Sequence, residues 1–298
     1  MQLDLEPRST PSVAACDASA LPGAHQTSAD PPAKRERALI VPACLALLGV
    51  LGLLGPLLAP YNPALPSGTP FLPPGAGHLL GTNDIGQDLL SQWLWGARAS
   101  LTVAMLVALL STLLAWGVGL GAGLWSGLET PLVALTDLLL AVPALPVYLL
   151  VLVLVGPSLP SVVLVLAGLS WPEFARIVRA QVTGVRHAAY VDAARALGAR
   201  PLRIAWRHVL PSTLPLLPAK LVTTVRFAVL GEATLAFLGL GDPAVSSWGT
   251  MLGWAFNDPL LFSRPTWPWW VLPPALAIAL LVRLTSAVAA RHAGSSCR

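Results

Sequence analysis

The ionisable residues of this 298-residue chain fall into two groups that could do chemistry. The first is an arginine run: Arg176, Arg179, Arg186, Arg195, Arg200, Arg203 and Arg207, opposed only by Glu173 and Asp192, a net charge of +5 from seven positive and two negative residues between 173 and 211. The second is Asp137, Arg226 and Glu232, which sit inside otherwise apolar stretches. A charge at that depth is costly and faces a partner or a cavity. Two readings stand for each of the three: a salt bridge or hydrogen bond between helices, or a place in a gate or solute path. Catalytic patterns are missing from the sequence. It holds no Gly-x-Ser-x-Gly, no His-Glu-x-x-His and no Gly-x-x-x-x-Gly-Lys-Ser/Thr phosphate loop. Cys16, Cys44 and Cys297 are scattered and give neither a disulfide framework nor a zinc pattern. His78 and His208 stand apart from other metal-ligand types and read as packing or hydrogen-bonding residues. Lys220 lies near the end of an apolar run and is expected to snorkel outward.

The elements that carry these residues are membrane spans. Hydrophobic residues make up 55% of the chain, charged residues 11%, and the mean hydropathy is +0.70. Soluble domains are about a quarter charged, and disorder needs low hydrophobicity with high charge. Apolar runs, of which 38–59 and 99–128 carry no charge, predict spans at 38–59, 99–128, 131–155, 161–175, 215–240 and 267–290; the fourth is short for about 30 Å of hydrocarbon, and the fifth carries Lys220, Arg226 and Glu232. The third and fourth are divided by a turn at Gly156-Pro157-Ser158-Leu159-Pro160. Trp267, Trp269 and Trp270 resemble an interfacial belt. Ile85, Leu89, Leu90, Trp93 and Leu94 recur at helical spacing, and Asp84 suits the first turn of a helix lying on the membrane surface.

The expected fold class is therefore an all-α polytopic membrane protein with six transmembrane helices. Arginine and lysine place both termini and the 176–211 loop in the cytoplasm. Residues 1–37 read as a disordered cytoplasmic tail. Residues 38–98 read as the first span with an external segment, 99–290 as a five-helix core carrying the 176–211 loop, and 291–298 as a C-terminal tail.

Within the loop, Ala, Leu and Arg favour a short helix over Tyr190–Leu197. Gly198 suits a left-handed residue that ends it, and Pro201 suits the first turn of a second helix that Pro211 should stop. Ala193, Ala194 and Leu197 form a small apolar ridge ringed by arginine. Small residues allow close approach by another protein, and a ridge this size needs a partner groove. A basic loop that only touches anionic lipid is the plainer reading. A DNA-binding helix-turn-helix does not fit a segment held between two spans, so no nucleic-acid partner is expected.

Asp192-Ala193-Ala194, three residues, Gly198, and then Leu210-Pro211 resembles the "EAA" loop of ABC-importer permeases, with Asp192 in place of the usual Glu. His208 resembles the peptide-transporter branch. His78-Leu79-Leu80-Gly81-Thr82-Asn83-Asp84-Ile85-Gly86-Gln87-Asp88 is similar to the corresponding segment of the dipeptide/oligopeptide/nickel permeases. So are Asp137–Pro143, Gly231–Gly241 and Trp248-Gly249. That family's usual acidic C-terminal motif is missing after Arg283.

The resemblance implies a type I ABC importer permease fold and a non-catalytic transport subunit in the cytoplasmic (inner) membrane of a prokaryote. It implies that Asp192, Ala193, Ala194, Leu197, Gly198 and Pro211 couple to an ATPase. The implied partners are a second homologous permease, two ATP-binding cassette ATPase subunits and an extracytoplasmic binding protein. No cofactor is expected on this chain itself, because ATP and Mg would sit on the ATPase. The implied cargo is a di- or oligopeptide. Nickel or another metal chelate, or a stand-alone secondary transporter, are the alternatives.

Overall fold

Proline, glycine and a few side-chain caps decide where the helices of this chain start and bend. The computed structural model describes residues 49–50 and 52–295. The tail 1–37 and most of the first expected span lie outside the described residues. Residues 52–58 of that span are helical and run close to the next helix. A Cβ placed on Gly55 would come within 2.6 Å of the Leu94 carbonyl oxygen.

The next helix, α1 (Leu89–Leu124), is 36 residues long. At 1.5 Å per residue it is about 54 Å, well beyond a hydrocarbon core. The expected surface helix is therefore corrected: its apolar residues from Leu89 onward form the first turns of α1, and Asp84 lies in the loop before it. Asp88 is the cap, accepting from the Ser91 backbone N–H at 2.8 Å. Residues 83–87 stay non-helical because the Asn83 side chain accepts from the N–H groups of Ile85 and Gln87, a local alternative to the helical ladder.

The expected span 131–155 is also corrected. It is two helices, α2 (Ser126–Ala141) and α3 (Ala144–Val155), set at 91°. Pro143 disfavours helical geometry at Val142, which is extended (φ −93°, ψ 133°). Gly156 then turns the chain at φ +95°, and Ser158 caps α4 (Leu159–Ser170). A 40° bend leads into α5 (Pro172–Arg186). The expected fourth span is thus too short, and the first eleven residues of the expected loop, 176–186, are helix. Buried Phe174, Val178 and Val182 recur at helical spacing along α5. They meet Gly119 and Gly123 of α1, where an added Cβ would come within 2.6 Å and 2.5 Å of Val178 and Val182.

The chain continues as α6 (Ala189–Ala196), α7 (Pro201–Ile204), a π turn (Ala205–Val209), α8 (Leu210–Thr213) and α9 (Leu216–Phe237). Pro211 does not stop the helix as expected. The ladder widens so that the Leu210 N–H reaches the Ala205 carbonyl, and the missing proline donor is absorbed in the next turn. α10 (Trp248–Asn257) opens on a reciprocal cap between Ser247 and Thr250. α11 (Trp267–Ser295) closes the described chain.

The expected tryptophan belt is only partly outward. Trp270 is fully buried beside Leu89 and Met251, while Trp269 is exposed. Among the described residues, α1 and α11 are each long and apolar enough to cross a membrane, and three bent helix pairs raise the total to as many as five spans. The described residues are all-α, with their largest core shared by α1, α3, α4, α9, α10 and α11.

Candidate functional site

The loop between α5 and α9 is anchored from inside and apolar outside. Val191 of α6 is fully buried, with Ile204 and Val209 in the same cluster under α5. From that anchor α6 ends in a two-bond C-terminal cap. The Gly198 N–H donates to the Arg195 carbonyl at 2.9 Å, and the Ala199 N–H donates to the Ala194 carbonyl at 3.0 Å. Gly198 takes φ +82°, a conformation that L side chains adopt only with strain.

This geometry turns Asp192, Ala193 and Leu197 outward, while Ala194 is half-buried. Leu197 is 89% exposed. Asp192 pairs along the helix with Arg195 at 2.9 Å. Pro211 is exposed in α8. Leu202 and Trp206 join the outward surface at 68% and 67% exposure, and with Arg200, Arg203 and Arg207 they line one shallow hollow. Sequence reading did not assign these two to the exposed ridge, although their spacing of four and the burial-prone Ile204 between them carried the signal. The His208 ring meets that of Tyr190 at a 58° tilt with ring centres 5.5 Å apart.

Three of the loop's arginines bond to neighbouring helices instead, Arg176 at the exposed surface and Arg179 half-buried. Arg176 donates to Asp137 at 2.6 Å, Arg179 to Glu129 at 2.6 Å, and Arg186 to the Gly123 carbonyl at 2.6 Å. Asp137 is therefore a half-exposed ion-pair partner that ties α2 to α5. Such exposed pairs add little stability, about 0–1 kcal/mol, so their use here is to fix the azimuth of α5 against α2.

Glu232 is 5% exposed in α9. It accepts from Ser100 Oγ of α1 at 3.0 Å, and the same Ser100 oxygen accepts from the Trp248 N–H of α10 at 3.3 Å. One hydroxyl thus joins three helices. Arg226, six residues before Glu232, does not meet it and donates to Ser286 Oγ of α11 at 3.2 Å. Lys220 does not snorkel. Its Nζ donates to the Ser170 carbonyl at 3.1 Å and lies 5.6 Å from the Phe174 ring centre. His78 meets the buried Asp88 at 2.9 Å.

Replacing Glu232 by Ala leaves the Ser100 hydroxyl without its acceptor. The expected result is a loss of about 1–3 kcal/mol of stability, read as an earlier thermal unfolding midpoint in detergent. Glu232→Gln keeps an acceptor and should lose less. An Ala variant as stable as the parent would remove Glu232 from the account of helix packing.

A family pattern described as "Binding-protein-dependent transport system inner membrane component" matches residues 115–293. The dipeptide transport system permease protein DppC of Escherichia coli (strain K12) is 41% identical over 234 residues, covering 76% of each chain. DppC of Bacillus subtilis (strain 168) is 35% identical over 242 residues, covering 79% of this chain and 73% of that one. A solved chain of the MetNI methionine ABC transporter, in an inward-facing conformation, aligns at TM-score 0.50 and 16% identity, covering 67% of this chain and 96% of that one. At that identity the likeness concerns the fold alone.

Proposed function

Because the chain belongs to the family of binding-protein-dependent transport system inner membrane components, we propose that it is the permease subunit of an ATP-driven importer of di- or oligopeptides. The observation that carries the coupling part of this reading is α6, a helix rooted on buried Val191 that offers an 89% exposed Leu197 at its capped end. An exposed apolar tip on a basic loop is the feature of a surface that buries itself against another protein. The peptide part rests on the relatives named as dipeptide permeases.

In this reading Asp192, Ala193, Ala194, Leu197, Gly198 and Pro211 belong to the surface that enters a cleft on each ATPase. The two ATPase subunits bind ATP and Mg. Their closure moves α6, and through Val191 and the cluster beneath it the motion reaches α5 and α1 as a rigid-body shift. A second homologous permease completes the pathway, and an extracytoplasmic binding protein delivers the solute. The arginine-rich loop and both termini lie in the cytoplasm, and the membrane is the inner membrane of a prokaryote. In this reading 38–98 carry the first span, its external segment and the first turns of α1, and 99–290 the transporting core.

Uptake of a labelled dipeptide into proteoliposomes holding the chain and its co-purified partners tests the proposal. Uptake should require both ATP and the binding protein. Uptake driven by an ion gradient without ATP would point to a secondary transporter. Accumulation of nickel chelates with no peptide uptake would remove the peptide assignment and leave the importer architecture.

A further inference from the structure

A cavity of about 480 Å³ opens between the α2–α3 bend, the α4–α5 junction and the first half of α9. That size falls within the range of small-molecule sites, about 300–1,000 Å³. Its wall carries Lys220, Arg226 and Glu173. None of the three has an opposite charge within 4.0 Å among the described residues. Glu173 attracts Lys220 only from beyond ion-pair distance. Glu173 is exposed at the start of α5, whereas Lys220 and Arg226 lie within α9, and charges at span depth that lack an opposite charge are costly and mark solute or ion paths.

Two hydroxyls in the same wall are also unmatched. Ser170 Oγ and Thr224 Oγ1 are buried and have no hydrogen-bond partner, and Thr224 is 1% exposed. Buried polar atoms without partners are uncommon, and each calls for a reason. Tyr148 and Phe227, in edge contact at 6.5 Å, supply an apolar side. The site therefore combines two cations, one acid, two unmatched hydroxyls and an aromatic face.

We propose that this cavity binds the carboxylate of a small solute between Lys220 and Arg226, with the hydroxyls of Ser170 and Thr224 serving the adjoining amide. The inference rests on the transport reading above and adds a solute site within this chain. Two cations against one acid leave the site net positive, which selects an anionic end-group. Arg226 spends one donor on Ser286 and keeps others in its planar fork, which suits a carboxylate.

The test uses the full chain in complex with its partner subunits in lipid nanodiscs, without the binding protein. The probes are alanyl-alanine and its C-terminal amide, and binding is measured by calorimetry. The free acid should bind at least about tenfold more tightly than the amide, the scale of a lost charge-assisted hydrogen bond. Arg226→Gln should bring the ratio close to one, Lys220→Gln should lower it, and Arg226→Lys, which keeps the charge and loses the fork, should fall between the parent and Arg226→Gln. Equal binding of acid and amide to the parent complex, or no binding of either, overturns the site. That comparison needs no variant, so a misfolded Arg226→Gln does not block it. A preference that survives the Lys220→Gln, Arg226→Gln double variant also overturns it. Transport of alanyl-alanine without acid preference removes the site and leaves the peptide reading. Acid preference without dipeptide transport does the reverse.

Discussion

Replacing Gly198 with Asp is expected to leave the protein folded and membrane-inserted while ATP-driven uptake falls to background. The open space around Gly198 makes the two effects separable. No heavy atom lies within 4 Å of a Cβ built there, so the new side chain meets no clash. Val191, the anchor of α6, is untouched. What changes is the cap. A side chain at φ +82° costs about 1–2 kcal/mol, enough to loosen the turn that sets Leu197 and Ala199. The added carboxylate also brings negative charge to a surface whose own charge comes from Arg195, Arg200 and Arg203. Gly198→Ala carries the strain without the charge and should fall between the two. Uptake assays paired with thermal unfolding midpoints separate coupling from stability. Normal uptake by Gly198→Asp would count heavily against a docking role for α6.

Gly249→Val is expected to have the opposite profile: little folded protein is recovered at all. A Cβ at Gly249 would lie 2.6 Å from Ala233 Cα, 2.8 Å from its carbonyl oxygen and 2.8 Å from Ala236 Cβ. Two of these are backbone atoms of α9, so no rotamer relieves the contact. α10 would have to back away, exposing fully buried Trp248 and breaking the Ser100 bond to its N–H. Overpacking alone costs about 1–3 kcal/mol, and the lost contacts add to it. Gly249→Ala should show a smaller deficit. Gly168→Ala is the control, because nothing lies within 4 Å of its Cβ and alanine favours the helix. Monodisperse yield after detergent extraction reads the difference. A Gly249→Val protein that matches the parent in yield and unfolding midpoint would show that α9 and α10 do not meet as described.

Local signals in the sequence were readable where one residue type had one job. Gly156 and Pro157 mark the turn between α3 and α4, and Gly198 marks the end of α6, because few other residues serve at those dihedrals. Reading failed where the deciding contact was distant in the chain. Arg176, Arg179 and Arg186 look like solvent-facing charge in a loop, yet their partners Asp137, Glu129 and Gly123 lie 39, 50 and 63 residues away. Buried Phe174, Val178 and Val182 make α5 a packed helix, and those contacts fix its azimuth.

The Ser100–Glu232 bond, across 132 residues, was equally out of reach. Glu232 showed itself only as an acid in an apolar run. Pro211 misled for a local reason: proline stops a helix only when the turn before it keeps α geometry, and here that turn is π. Of the outward surface around α6, Leu197 was readable from its place beside Gly198. Leu202 and Trp206 were lost inside what read as an ordinary second helix.

If α6 docks on an ATPase as proposed, its capped end is the surface on which the complex depends. A mild-detergent pull-down of the tagged full-length protein from its native membrane, with partners identified by mass spectrometry, tests it most directly. A second permease and one or two ATPases should be recovered with the chain, and Leu197→Asp should lose the ATPases while keeping the second permease. Recovery of the chain alone, or of ATPases in equal amount with Leu197→Asp, would contradict it.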